Sequence, residues 1–297
     1  MPDWVTISQH VKASCGESLQ VDTVHSMGGG CINAAYALKA DTRQFFIKVN
    51  TASGLDMFEA EAEGLREISQ SRTLRVPDAL CWGVAGHDAY LVMEKLDLSG
   101  SGSAAKLGEK LAAMHRVTSM DSDSPRYGWF RDNTIGSTSQ INDYENGWVR
   151  FWDKHRLGFQ LDLARRKGAG SRILQQGEKL RELLPVFFKN YYPDASLLHG
   201  DLWSGNYAFE KNGEPVIFDP AVYYGDRETD LAMTELFGGF SADFYSAYQS
   251  SYPLDDDYKV RKTLYNLYHI LNHFNLFGGG YLSQAESMIN RLLSEIR

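Results

Sequence analysis

Cysteine is scarce. Cys15, Cys31 and Cys81 are the 3 cysteines in 297 residues, an odd number and too few for a disulfide scaffold, so a reducing compartment is expected. Long apolar runs are missing as well: nothing approaches the roughly 18 residues of a membrane span. Asp3, His10 and Lys12 interrupt the N-terminus before a signal-peptide core could form. The expectation is a cytoplasmic protein with no membrane partner. Basic charge is also short, with 30 Lys+Arg against 38 Asp+Glu and a formal net charge of -8. That balance disfavours nucleic acid and anionic surfaces and suits a neutral or cationic ligand. What remains is 43% hydrophobic, enough for a sizeable core, in a length that fits two domains or one two-lobed one.

Across the first hundred residues, short β-rich runs alternate with turn residues: 19–27, 33–39, 43–49, 80–85 and 89–94. One helical segment, about 55–69, lies between the third and fourth, which predicts a small sheet with a single helix. After Leu98 the stretch 99–103 reads as a linker and helix cap, and Leu107, Leu111 and Met114 then recur at helical spacing. From there the pattern is mostly helical, with a strand-like interruption around 206–220. The expected class is α+β: an N-terminal lobe 1–96 with a small antiparallel sheet, a hinge near 94–98, and a mostly helical lobe 97–297.

Chemistry concentrates in His199-Gly200-Asp201-Leu202-Trp203-Ser204-Gly205-Asn206, followed by Ile217-Phe218-Asp219-Pro220. An Asp, an Asn and a second Asp in this order and spacing match a phosphoryl-transfer site of the protein-kinase type. Asp201 would orient an acceptor hydroxyl and take its proton as the O–P bond forms, because a carboxylate near its reference pKa of about 3.9 cannot deprotonate a sugar hydroxyl beforehand. Asn206 and Asp219 would offer oxygen ligands to Mg²⁺. A lone Asp is usually a turn or helix cap; three such groups at these intervals are not.

Upstream, Gly28-Gly29-Gly30-Cys31 would let backbone N–H groups approach phosphate oxygens, although three glycines between strands also make an ordinary hairpin turn. Lys48 stands alone in the apolar run 44–49, either as a snorkelling strand residue or as a phosphate-pairing lysine, which would need a carboxylate on the following helix. Of Glu59, Glu61 and Glu63, only Glu61 shares a helical face with Phe58, Leu65 and Ile68. A glutamate there is costly to bury unpaired, so Glu61 is the expected partner, with Glu59 and Glu63 solvated. At the hinge, the backbone of Glu94 and Leu96 could offer an acceptor and a donor to adenine with Met93 behind; an ordinary sheet strand is the alternative.

Trp203 would present an indole face to a sugar-like acceptor, or pack between loop and helices. His199 precedes the motif as structural support. Asp226 and Asp230 are expected to brace the catalytic loop by accepting its backbone N–H groups.

Segments 28–33 (GGGCIN), 57–65 (MFEAEAEGL), 135–142 (IGSTSQIN), 148–160 (WVRFWDKHRLGFQ), 199–206 (HGDLWSGN), 219–233 (DPAVYYGDRETDLAM) and 267–281 (LYHILNHFNLFGGGY) together resemble the fructosamine 3-kinase (ketosamine 3-kinase) family, within the aminoglycoside-phosphotransferase-like branch of the kinases. The resemblance implies a bilobal protein-kinase-like fold, ATP and Mg²⁺, and phosphorylation of the 3-hydroxyl of ketosamines, free or on glycated protein lysines. The 3-phosphorylated adducts break down and free the amine, a deglycation and repair role. It places catalysis on Asp201, metal binding on Asn206 and Asp219, and nucleotide binding on Lys48 and Glu61. His273 becomes a candidate acceptor contact, or a hydrogen-bonded structural histidine. By resemblance to bacterial-looking members, ribulosamine or erythrulosamine is expected ahead of fructosamine. Some members resemble this chain in a cysteine at Cys31, which implies a redox-sensitive, disulfide-linked homodimer; the alternatives are a monomer and a small residue that merely fits the turn. Kinases of aminoglycosides, choline or a thiosugar, and a redox-sensing nucleotide-binding module, are the rival readings.

Overall fold

The alternating β-rich runs pair into one antiparallel sheet in the computed structural model, which describes residues 2–28, 32–98, 100–121 and 124–296. The chain forms two compact units, Met1–Ser103 with Tyr207–Pro220, and Ala104–Asn206 with Ala221–Arg297. The expected division at 96/97 carried no such return of the chain; the hairpin 207–220 belongs with the N-terminal unit.

In the first unit, α1 (Trp4–Cys15) precedes β1 (Leu19–Met27), β2 (Ala34–Ala40), β3 (Gln44–Thr51), α2 (Leu55–Ser71), β4 (Ala79–Ala85) and β5 (Asp88–Glu94). The strands lie in the order β1-β2-β3-β5-β4. β3 is central, with Lys48 opposite Ala35 on one side and Leu91 on the other.

The single expected helix needs a correction, because α1 adds a second. The Asp3 side chain accepts the Thr6 N–H and caps α1, satisfying a helix-terminal donor. Trp4, Ile7 and Val11 then fall on one face and join Leu38, Phe45, Ile47 and Val92 in a shared core. α2 buries Phe58, Ala60, Glu61, Ala62, Gly64, Leu65 and Ile68 and ends at Arg72 in the left-handed region. The stretch after Leu98 is less a loose linker than a docked one: Gly100 N–H donates to Phe209 O, and Lys211 N–H to Asp97 O. The hairpin 207–217 is further tied to Arg75, whose carbonyl accepts the Ile217 N–H.

The second unit begins with α3 (Ala104–His115), whose Leu107, Leu111 and Met114 are buried as their spacing predicts. α4 (Trp148–Trp152) passes through a π-helical turn, Asp153–Gly158, into α5 (Phe159–Arg166), followed by α6 (Ser171–Glu182). After the loop containing Asp201 come α7 (Glu228–Leu236), α8 (Ala242–Ser251), α9 (Tyr258–Phe277) and α10 (Tyr281–Glu295). α9 runs through the middle, packed by α5, α7 and α10. Strands 196–198 and 223–225 pair antiparallel on either side of the Asp201 loop in sequence, and a hairpin joins 133–135 to 138–140. Among the described residues, no helix is long and apolar enough to cross a membrane.

Candidate functional site

In the first unit, β3 and α2 bring Lys48 and Glu61 together: Lys48 Nζ lies 2.6 Å from Glu61 Oε1 and 2.7 Å from Asp219 Oδ1. Helical phase therefore selects the right glutamate; Glu59 and Glu63 are half-buried rather than fully solvated. Burial pulls the Lys48 pKa down, but the two carboxylates outweigh it and hold the ammonium above the ordinary lysine value. Burial pushes the Glu61 carboxyl up, with the lysine opposing. The result is a cation fixed by one buried carboxylate and one whose side chain is 48% exposed. Asp219 has φ 57°, a left-handed conformation that costs a non-glycine residue about 1 kcal/mol and is concentrated at functional sites.

Of the glycine run, Gly28 lies in open space, where a Cβ would meet nothing within 4 Å; Gly29, Gly30 and Cys31 lie outside the described residues. Cys15 and Cys81 are free thiols. At the end of β5, Met93 is buried and the Glu94 N–H donates to Asp78 O, which restricts the Glu94 backbone to an acceptor's role.

In the second unit the loop that carries Asp201 is fixed by hydrogen bonds. Asp230 accepts His199 N–H at 2.7 Å and Gly200 N–H at 2.8 Å, one on each oxygen, the bracing expected of it. Burial alone would raise Asp230, but bonds from His115 and from the loop backbone outweigh it and keep it ionised. His115, fully buried, has its pKa lowered by burial, and its ring bridges Asp230 and the Tyr248 hydroxyl. Asp226 does not act as expected. Its carboxylate accepts the Tyr191 and Tyr265 hydroxyls and the Glu228 N–H, so it anchors the start of α7 instead of the loop. The spacing of the two aspartates, one helical turn apart, could not separate them.

Gly200 has φ 81°, and a Cβ there would lie 2.0 Å from the Ala221 carbonyl oxygen, so the position excludes a side chain. The Asp201 N–H donates to His199 Nδ1 at 3.2 Å, which leaves that nitrogen unprotonated. Asn206, 5% exposed, donates through Nδ2 to the Asp201 carbonyl at 2.8 Å. This turns its amide oxygen into the end available to a hard cation.

Trp203 is 38% exposed, not a core residue, and Gly205 leaves room for it: a Cβ at 205 would come 2.4 Å from the indole. His273 Nδ1 donates to His269 O at 2.8 Å, and its ring packs with Phe237, Phe277 and Tyr281. Among the described residues no group of three or more His, Cys, Asp or Glu could hold a metal ion. The candidate donors, an amide oxygen and a carboxylate, have the chemistry of Mg²⁺, which keeps waters and phosphates as its remaining ligands.

A family model described as fructosamine kinase matches residues 3–295. The chain belongs to the fructosamine kinase family. A probable ketoamine kinase of Synechocystis is 46% identical over 98% of this chain and 97% of its own length. The chloroplastic protein-ribulosamine 3-kinase of Arabidopsis thaliana is 45% identical over 95% of this chain and 86% of its own. The crystal structure of a provisionally named fructosamine-3-kinase from Haemophilus somnus superposes with a TM-score of 0.88 at 29% identity, covering 98% of this chain and 97% of that one. The kinase-like fold read from the sequence is therefore the fold of this fructosamine kinase relative.

Proposed function

We propose that the protein is an ATP-dependent kinase of ketosamines that transfers a phosphoryl group to the 3-hydroxyl, with ribulosamine or erythrulosamine adducts as better acceptors than fructosamine, and that the product's breakdown frees the amine. The observation that carries this reading is Lys48 held as a cation between Glu61 and Asp219, an ion set suited to nucleotide phosphates. In the transfer, the acceptor oxygen bonds to the γ-phosphorus, the bond from that phosphorus to the bridging oxygen breaks, and ADP leaves. Asp201 orients the hydroxyl and receives its proton. Lys48 offsets charge on the phosphates, and Asn206 and Asp219 offer oxygens to Mg²⁺. The metal, when bound, neutralises charge that develops on the phosphate oxygens.

A ketosamine carries a protonatable amine, in keeping with the chain's net charge of -8. The protein-ribulosamine 3-kinase among its relatives supports the shorter sugar. Trp203, exposed beside the loop, would lie against the apolar face of the acceptor chain.

ATP consumption measured side by side with ribulose-lysine, erythrulose-lysine and fructose-lysine, with choline and an aminoglycoside as controls, tests the proposal. Turnover should rank the first two above the third. Absence of turnover with every ketosamine overturns it, and turnover with a control alone redirects it to another small hydroxyl compound. Trp203→Ala should raise the acceptor KM about tenfold, the loss of roughly one apolar contact surface, while the KM for ATP stays put.

A further inference from the structure

Arg156 lies in the π-helical turn between α4 and α5 and is 0% exposed. Its hydrogen bonds go to neutral oxygens: Nη1 to Ile141 O at 2.7 Å and His155 O at 3.1 Å, and Nη2 to Asn142 Oδ1 at 2.8 Å. Nε has no partner. The rings of Phe151, Tyr223 and Tyr268 lie 4.6, 4.1 and 5.7 Å from the guanidinium carbon. None of these partners is a carboxylate. Burying a cation among neutral groups is costly, and an apolar residue of similar volume would fill the space at less expense. The charge therefore serves something other than packing.

What it touches shows what that is. Arginine only donates, so Asn142 turns its oxygen toward Arg156 and its Nδ2 away, where it donates to the Arg131 carbonyl at 3.2 Å and to Asn133 Oδ1 at 3.1 Å. Asn133 in turn must aim its Nδ2 elsewhere, and it donates to Val222 O at 2.7 Å. Gln140 Nε2 donates to the same Asn133 oxygen at 2.8 Å and to Ala221 O at 3.1 Å, while its own oxygen accepts the Tyr268 hydroxyl. A chain of amides, each able to flip when alone, is held in one direction from both sides: by a guanidinium that cannot accept, and by the Arg131, Val222 and Ala221 carbonyls, which cannot donate. It ends on the carbonyls of Ala221 and Val222. Ala221 is the backstop of the catalytic loop: its N–H donates to His199 O at 2.8 Å, and its carbonyl is the atom that excludes a side chain at Gly200.

We propose that Arg156 is a positioning residue for phosphoryl transfer: it sets the hydrogen-bond polarity of the buried Asn142, Asn133 and Gln140 amides, which fix Ala221 and Val222 and, through them, the loop that carries Asp201. The proposal rests on the kinase reading for its catalytic consequence, though not for its structural one. Because Arg156 acts through other residues, its loss lowers kcat and leaves both KM values in place.

Asn142→Asp is the discriminating variant. It gives the buried guanidinium a carboxylate, which a merely structural role would welcome, but it sets an acceptor against Asn133 Oδ1 and the Arg131 carbonyl and breaks the relay. The expected result is a thermal midpoint kept or raised, kcat lowered about 10²-fold as for a small misplacement of catalytic groups, and KM for ATP and acceptor within twofold. Arg156→Met should show the same kcat loss, and Arg156→Lys, which still only donates, should recover part of it. Hydrogen exchange at the amides of Gly200, Asp201 and Ala221 gives a readout independent of turnover, and it should quicken in Asn142→Asp and Arg156→Met. If the parent phosphorylates no ketosamine, the kinase reading fails while the exchange data still decide the relay. Unchanged exchange at those three amides in folded Asn142→Asp, or kcat within twofold of an active parent, overturns the inference; should Arg156→Met not fold, Asn142→Asp alone decides.

Discussion

Lys48 in the first unit and Asp201 in the second are both candidate functional residues, and they are held by different physics. Around Lys48, opposite charges meet at 2.6 and 2.7 Å, with Lys48 and Glu61 buried and Asp219 open to solvent, so the geometry depends on ionisation. Around Asp201, the loop is fixed by backbone N–H groups on Asp230, by the Asn206 amide, and by the absence of a Cβ at Gly200. Under the proposed function, the first arrangement would adjust as a nucleotide's charge arrives, because a salt-bridged ammonium can redistribute its contacts. The second is preorganised, as a group that must meet a hydroxyl in one orientation requires.

Four changes would break or sharpen this contrast. The largest expected effect is that of Asp201→Asn, which keeps the Asn206 bond to the Asp201 carbonyl and retains a side-chain oxygen that can accept the longer one, 3.3 Å from Asn206 Nδ2: phosphotransfer should fall about 10³-fold with little change in thermal midpoint. Full turnover in that variant would sink the assignment of the proton acceptor. Lys48→Met should act on turnover and stability together, with phosphotransfer lowered about 10²-fold and unfolding free energy lower by about 3 kcal/mol, because Glu61 is left buried without its partner. A urea titration that finds the variant as stable as the parent would show that the pair is not energetically significant. Gly200→Ala should cost about 2 kcal/mol from strained backbone and displaced contacts, and turnover should fall with it; an unperturbed variant would mean that the loop is not fixed by exclusion.

The smallest effect is a pH dependence in the second unit. His269 is buried and neutral, protonated only in the unfolded chain between its folded value of about 3 and the ordinary 6.5. His115 shares the lowered direction, also from burial. For His269 the unfolded state binds more protons across that window, so its contribution to stability rises with pH there, by at most about 1.4 kcal/mol per unit, and is complete above pH 6.5; His115 adds in the same direction. Urea midpoints at pH 5 and pH 7 measure it, and His269→Gln should flatten the slope. An equal slope in the variant would assign the effect elsewhere.

Much of this was legible in the sequence, and the parts that were not have identifiable causes. The five strands and α2 follow from alternation and turn residues, and Glu61 followed from phase because a buried glutamate must have a partner. α1 was missed although Trp4, Ile7 and Val11 fall on one helical face, because a twelve-residue amphipathic stretch at a chain end carries little signal beyond its cap. Asp226 and Asp230 were indistinguishable because they are one turn apart on the same segment, and only the folded loop shows which one faces it. The role of Arg156 depends on amides at 133, 140 and 142; its spacing from Trp152 and Gln160 marks an inward face, but no local pattern says what an inward arginine would orient. The placement of 207–220 rests on contacts made by Gly100, Asp97 and Arg75, more than a hundred residues away.

That excursion has a consequence for how the protein can be taken apart. The chain leaves the second unit after Asn206, contributes a hairpin and Asp219 to the first, and returns at Ala221, so the two units are interleaved along the chain and joined by three covalent crossings. A fragment ending at Ser103 would lack one of the two carboxylates on Lys48 and the hairpin whose backbone bonds to Asp97 and Gly100. A single cut in the glycine-serine stretch near 100 would leave the residues before it held only by non-covalent contacts with the hairpin, which alone stays covalently joined to the second unit. Neither unit is a module that could be shuffled, swapped or inherited by itself: the hairpin ties the inheritance of one to the other.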